Sequence, residues 1–222
     1  SEMFGLVKES PQNENTPFNP QSPYGLAKVF AYHTTRAYRN SYGMFAANGI
    51  LFNHESPRRG RRFVTRKITL GLSAVKLGLQ KVLTLGNLNA MRDWGHARDY
   101  VKGIYKIMQY KTPEDFVLAT GETYTVRNFA EKVAKVIGMD LVWKGKGVRE
   151  RGVDRKSGKT IIKIDPVHFR PSEVEYLRGD SSRAKKLLGW KPKVSFEKLV
   201  EIMVREDYDL VKHEAKLGIW RK

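Results

Sequence analysis

The chain has 222 residues, no cysteine, 41% hydrophobic residues and a formal net charge of +18 from 41 basic and 23 acidic side chains. That hydrophobic share can bury a sizeable core and argues against wholesale disorder; the lack of cysteine excludes disulfides, thiolate metal sites and cysteine nucleophiles. No run approaches the roughly 20 apolar residues of a membrane span, residues 1–5 lack the pattern of a signal peptide, and the charge favours anionic partners: nucleic acid, anionic lipid or phosphorylated small molecules.

Residues 6–21 hold Pro11, Pro17 and Pro20 among several Asn and Gln and read as a loop crossing a surface. Ser22 followed by Pro23 is a helix start. The spacing predicts a helix to about Ser41, with Arg36 and Arg39 suited to its C-terminal end and Gly43 to its cap. Residues 44–52 form a mostly apolar run that fits a strand buried on both faces, as in a parallel sheet. Polar, turn-rich residues 53–60 follow at its carboxyl end, where open α/β sheets bind ligands.

A helix is expected over about 63–79, a strand over 81–86 and a loop over 87–95. The next helix runs from His96 to about Tyr110, with Tyr100, Val101, Ile104, Ile107 and Met108 as its apolar stripe. Residues 116–119 read as a strand. Thr125 is placed to cap a helix that carries Val126, Phe129, Val133, Val136 and Ile137 at core spacing, and 140–143 is a further strand. Residues 144–163, rich in Gly and in Lys and Arg, form a mobile connection or a hairpin; Ile161, Ile162 and Ile164 suggest a strand near its end. A polar turn at 169–174, a short helix opened by Ser181 and Ser182, and a last helix from near Ser195 complete the chain. Phe196, Leu199, Ile202 and Met203 point inward on that last helix. Alternating strands and helices over the first two-thirds indicate an α/β fold, with a smaller lobe toward the end.

Tyr24 and Lys28 stand four residues apart on the first helix and share a face. A free tyrosine, with a pKa of about 10, is a poor base at neutral pH. A fixed positive charge nearby favours the phenolate, and a phenol tuned in this way can take a proton from a sugar hydroxyl while a hydride leaves the carbon. The same spacing also suits a half-buried ring beside a solvated lysine. No glycine-rich dinucleotide fingerprint and no P-loop are present, and no cluster of His, Asp and Glu has metal-ligand spacing, so no metal is expected.

Several strings occur together and in order. They are Ser1-Glu2-Met3-Phe4-Gly5, Ser22-Pro23-Tyr24 with Lys28, and Asn53-His54-Glu55-Ser56-Pro57-Arg58-Arg59-Gly60. Phe63-Val64-Thr65-Arg66-Lys67, Arg92-Asp93-Trp94-Gly95 and Arg170-Pro171-Ser172-Glu173-Val174-Glu175 follow. This set closely resembles the GDP-mannose 4,6-dehydratases of the extended short-chain dehydrogenase/reductase family, over nearly the whole chain. The Tyr/Lys pair is common to the superfamily; the 53–60 string with Arg92-Asp93-Trp94-Gly95-His96 is far more specific.

The resemblance implies the C-terminal part of a Rossmann-type NAD(P)-binding fold plus a smaller α/β nucleotide-sugar-binding lobe. The N-terminal half with the glycine-rich turn would be missing, and the isolated chain would be inactive. Residues 1–60 would be the remainder of the Rossmann domain. Residues 61–222 would be mainly the nucleotide-sugar lobe, with some segments returning to the Rossmann sheet.

The implied reaction converts GDP-mannose to GDP-4-keto-6-deoxymannose, with NADP as internal hydride carrier. By resemblance, Tyr24 removes the O4 proton, Lys28 holds the phenolate and the nicotinamide ribose, and Glu2 takes the C5 proton and assists loss of water from C6. Ser1 joins this catalytic set; the family's Thr hydroxyl one position upstream is not in the chain. His54 and Arg59 match positions that contact NADP. Asn53, Lys67, Arg92, Arg170 and Glu173 match positions that bind the nucleotide-sugar, the arginines gripping the diphosphate. The resemblance further implies a cytoplasmic, homo-oligomeric enzyme, dimer or tetramer, without a membrane partner.

Two other readings stand beside this one. A nucleotide-sugar epimerase or 4-reductase would use the same Tyr/Lys pair, but Glu2 preceded by Ser1 argues for dehydration. A basic nucleic-acid-binding module would draw on Arg58, Arg59, Arg61, Arg62, Arg66 and Lys67. It lacks interleaved aromatics and any known recognition motif, so nucleic acid is not the expected partner.

Overall fold

Ser22 and Gly43 bracket the first helix as their chemistry requires. In the computed structural model, which describes residues 1–168 and 176–220, helix α1 spans Pro23–Tyr42. The Ser22 hydroxyl accepts from the Gly25 amide at 3.0 Å, and Gly43 closes the helix with φ 62°, a conformation open to glycine without strain. The expected turn at 169–174 lies outside the described residues, as do Arg170 and Glu173.

After α1 the apolar run is strand only at β1 (Gly49–Leu51). Met44 and Phe45, expected inside a doubly buried strand, are 49% and 45% exposed. The reason is local hydrogen bonding. The Arg39 guanidinium donates to the Ala46 carbonyl at 3.0 Å, and the Asn48 amide donates to Asp115 at 3.1 Å, so these backbone groups are spent on side chains rather than on a ladder. Residues 53–55, expected as turn, form β2 (Asn53–Glu55).

Helix α2 (Val64–Lys76) and strand β3 (Leu83–Leu85) follow. Residues 87–95, expected as loop, contain β4 (Met91–Arg92) and the start of β5 (Trp94–His96). Next come α3 (Ala97–Met108), β6 (Phe116–Leu118) and β7 (Tyr124–Thr125). Helix α4 (Val126–Val136) opens with a full capping box between Thr125 and Asn128. Of the two readings of 144–163, the hairpin holds: β8 (Leu141–Lys144), β9 (Arg151–Asp154) and β10 (Thr160–Ile164) run antiparallel in sequence. Helices α5 (Ser182–Leu188) and α6 (Phe196–Lys216) end the order.

The chain forms two compact units. The first comprises Ser1–His54, Met91–Tyr124 and Ser172–Ser195; the second comprises Glu55–Ala90, Thr125–Pro171 and Phe196–Lys222.

In the first unit β1 and β6 pair in parallel, Ile50 opposite Val117. Alternation along β6 decides the packing. Val117 joins Phe4, Tyr32 of α1, Phe52 and Leu177 in one core cluster, whereas Phe116 and Leu118 join Tyr100 and Ile107 of α3, Leu188 and Trp190 in another. The strands are thus covered on both faces, as parallel pairing requires. Only part of the α3 stripe is inward. Tyr100 and Ile107 are buried, but Val101, Ile104 and Met108 are exposed, because α3 meets β1 and β6 along one narrow face.

In the second unit the sheet order is β3-β10-β9-β8, with β10 parallel to β3 and antiparallel to β9. Helices α2, α4 and α6 pack on one another. Phe196, Leu199 and Met203 of α6 are buried and Ile202 is half-buried. The fully buried Asp207 of α6 is matched by two α2 residues: Arg66 Nε lies 3.0 Å from one oxygen and the Thr69 hydroxyl donates to the other. A buried carboxylate needs this satisfaction to be tolerated.

Candidate functional site

The first unit carries Tyr24 and Lys28 on α1 and packs the Ser1–Glu2 segment against that helix and the end of β1. Tyr24 and Lys28 lie on the exposed side of the first two turns of α1, Tyr24 60% exposed. The Lys28 ammonium sits 5.5 Å from the centroid of the Tyr24 ring, within cation–π range. Between them Gly25 is buried against the segment that carries Glu2. A Cβ at Gly25 would stand 2.7 Å from the Glu2 carbonyl oxygen, so the close approach requires glycine. The Ser1 nitrogen donates to the Leu51 carbonyl at 2.9 Å. The backbone of the Ser1–Glu2 segment is thus packed on the helix turn between Tyr24 and Lys28. The arrangement puts a phenol and an ammonium on the exposed side of α1, next to the backbone of the segment that carries the Glu2 carboxylate; such groups can serve proton transfer.

Asn53 and His54 continue from β1 into β2. The Asn53 side-chain oxygen is buried and has no hydrogen-bond partner among the described residues. His54 Nδ1 lies 2.9 Å from the Phe52 carbonyl. A carbonyl only accepts, so Nδ1 donates, and in the neutral ring Nε2 remains an acceptor. The His54 ring packs 5.3 Å from that of Tyr100.

Arg92 is buried on β4, its Nη1 donating to the Met91 carbonyl at 2.9 Å. Its neighbour Asp93 organises the surroundings. The Asp93 carboxylate accepts from the Thr120 amide at 2.9 Å, the Thr120 hydroxyl at 2.6 Å, the Gly121 amide at 2.9 Å and the Gly179 amide at 3.3 Å. Burial pushes this carboxyl above its ordinary value while those donors pull it back. Asp93 thus pins three distant segments together. It stood inside a string singled out above, yet only Arg92 was assigned a role; a buried acid between Arg and Trp was the available signal.

The second unit holds Arg59 and Lys67. Arg59 is oriented from three sides. Its Nε lies 3.3 Å from the buried Glu55 carboxylate, its guanidinium carbon lies 3.7 Å from the Phe63 ring centroid, and its backbone carbonyl accepts from Arg66 at 2.7 Å. Its Nη groups have no hydrogen-bonded partner among the described residues, which leaves the fork of the guanidinium for an anion. Glu55 was not singled out by itself; an acid four residues before a candidate arginine was its signal. Burial lowers the Lys67 ammonium from its ordinary value, with Asp165 acting against that shift.

No helix among the described residues is long and apolar enough to cross a membrane. The orphan acceptor of Asn53 suits a hydroxyl or amide donor, and the free guanidinium fork of Arg59 suits phosphate.

Known structures share this architecture. The structure of RMD from Pseudomonas aeruginosa complexed with NADPH superposes with a TM-score of 0.77 at 19% identity, over 94% of this chain and 64% of that one. A dTDP-glucose 4,6-dehydratase from Bacillus anthracis in complex with NAD gives 0.76 at 21% identity, over 96% and 60%. These structures share the α/β fold of this chain. Sequence narrows the class. The profile of the family described as GDP-mannose 4,6 dehydratase matches residues 1–203. A GDP-mannose 4,6-dehydratase from Vibrio cholerae is 51% identical over 99% of this chain and 62% of its own length, and one from Homo sapiens is 50% identical over 96% and 57%. The chain belongs to the GDP-mannose 4,6-dehydratase family. It spans about three-fifths of the length of these relatives.

Proposed function

We propose that this chain is part of a lyase that dehydrates GDP-mannose to GDP-4-keto-6-deoxymannose with NADP as resident cofactor. The observation that carries this reading is the Tyr24/Lys28 face of α1 with the Glu2 segment packed on Gly25, in a chain of this family. His54 and Arg59 would hold the cofactor together with Tyr24 and Lys28; Asn53, Lys67, Arg92, Arg170 and Glu173 would hold the nucleotide-sugar. When bound, NADP supplies the acceptor for the C4 hydride and returns that hydride at C6.

Tyr24, with the Lys28 ammonium beside its ring, accepts the O4 proton as C4 becomes a ketone. The ketone acidifies the C5 proton, which the Glu2 carboxylate removes. Protonation of the departing C6 hydroxyl releases water and leaves a C5–C6 double bond. C5 regains a proton as C6 is reduced, so the net change is loss of one water. A carboxylate suits the middle step because it takes a proton and gives one back. Ser1 lies beside Glu2 and would hold it. We place the enzyme in the cytoplasm as a homo-oligomer.

The test is incubation of GDP-mannose and NADP with the chain joined to the N-terminal segment of the Vibrio cholerae relative. A 4-keto-6-deoxy product supports dehydration. A C4-epimerised sugar, or no product from a soluble fusion, contradicts it. The 222-residue chain alone is expected to be inactive.

A further inference from the structure

The sheet of the second unit presents three cations in one row. Lys144 of β8 is paired in register with Arg151 of β9, and Arg151 with Lys163 of β10. Directly opposite residues on neighbouring strands point to the same face, and all three side chains are exposed. Lys163 is in turn opposite Thr84 of β3, whose half-buried hydroxyl extends the row. Val153, two residues along β9 on the same face, is buried, so the exposed part of this face is the row itself; the helices pack on the other face. Ile162 and Gly152 are buried there, Leu83 abuts Gly71 of α2, and the Trp143 indole donates to Glu131 of α4 at 2.7 Å.

Like charges directly opposite one another destabilise a sheet. Glu150, the acid beside Arg151, is held by both Nη groups of Arg127 at 2.7 and 3.0 Å. Asp154 accepts from Ser157 in the turn that follows it and from the amide of Asp140, just before β8. Among the described residues, no acid pairs with Lys144, Arg151 or Lys163. Strands lie about 4.8 Å apart, so three flexible or forked cationic heads and a hydroxyl can converge over one compact polyanion. Among the described residues this face has no aromatic platform for bases to stack on.

We propose that the Lys144–Arg151–Lys163 row, with Thr84, is a binding site for a small ligand bearing two or more linked phosphates, distinct from the residues assigned to catalysis. Its assignment does not depend on the proposed reaction.

The 222-residue chain can be titrated with inorganic tripolyphosphate at constant ionic strength, followed by calorimetry and by lysine and arginine side-chain NMR. Saturable binding is expected, weakened on the order of tenfold in Arg151→Gln and in Lys163→Gln. Lys156→Gln, in the β9–β10 turn, is expected to bind within about twofold of the parent, since one exposed charge off the row adds only weak, screened attraction. Without ligand, Arg151→Gln is expected to melt no lower than the parent, because it removes repulsion rather than a partner. GTP serves as a second arm: equal affinity assigns the site to the phosphate chain alone, and tighter binding adds a base contact. The proposal is overturned by non-saturable binding, by equal losses in all three variants, or by retention of an oligonucleotide with neither small ligand bound.

Discussion

The Lys28 ammonium lies 5.5 Å from the centre of the Tyr24 ring, one helical turn along α1, and both side chains face solvent. Neither is needed to hold the fold, so substitution separates chemistry from stability. Tyr24→Phe and Lys28→Met are expected to lower kcat by roughly 10²–10⁴-fold in the active fusion, the range of a lost proton-transfer group. Urea midpoints should move little, as for other exposed positions. A large fall in stability with unchanged kcat would assign the pair to packing instead.

Gly25 links the Tyr24 helix to the Glu2 segment. A methyl at position 25 would meet the Glu2 carbonyl oxygen at 2.7 Å and the Pro20 side chain at 3.0 Å. Gly25→Ala is expected to cost about 1–3 kcal/mol through overpacking and to displace Glu2. The chemical signature would be a dehydration step slowed more than the initial oxidation, read as accumulation of a 4-keto sugar that keeps its C6 hydroxyl.

Asp93 accepts bonds from Thr120, Gly121 and Gly179. Asp93→Ala leaves buried amide donors without an acceptor, at a cost of about 1–3 kcal/mol. Equilibrium urea unfolding of the 222-residue chain measures it directly, and a loss well below 1 kcal/mol would show that water replaces the carboxylate.

Asp115 sets an acid-dependent stability. Burial would raise its carboxyl, but hydrogen bonds from Arg39 at 2.9 and 3.1 Å and from Asn48 outweigh burial and hold it below the ordinary value of 3.8. A depressed folded-state carboxyl stabilises the protein above its unfolded value. That contribution is lost as pH falls from about 4 through the lower folded value. Parent and Asp115→Asn should therefore differ in stability at pH 6 and converge toward pH 2; a constant difference across that range would rule out Asp115 as the source.

What could be read from the chain alone followed from local chemistry. The ends of α1 were legible because Ser22, Pro23 and Gly43 carry their own signals, and α4 because Thr125 caps it. The strands hidden in 87–95 were not, because β4 and β5 exist only through β7 and β2, far along the sequence. The length of β1 was misjudged because apolar Met44 and Phe45 say nothing of the Arg39 and Asp115 bonds that take up the neighbouring backbone. At the site, family strings brought Tyr24, Lys28 and Glu2 forward. Asp93 and Glu55 were passed over because their value lies in burial and in partners brought together by folding. The row of Lys144, Arg151 and Lys163 appears only once strand register is known.

The central claim is that one constellation removes the O4 and C5 protons of a single sugar. Turnover of GDP-mannose deuterated at C4, in ordinary water, by the fusion enzyme tests it most directly. The parent is expected to give a 4-keto-6-deoxy product with the deuterium at C6, and the Glu2→Gln variant none of this product. Deuterium retained at C4, or full dehydration by the Glu2→Gln variant, would contradict it.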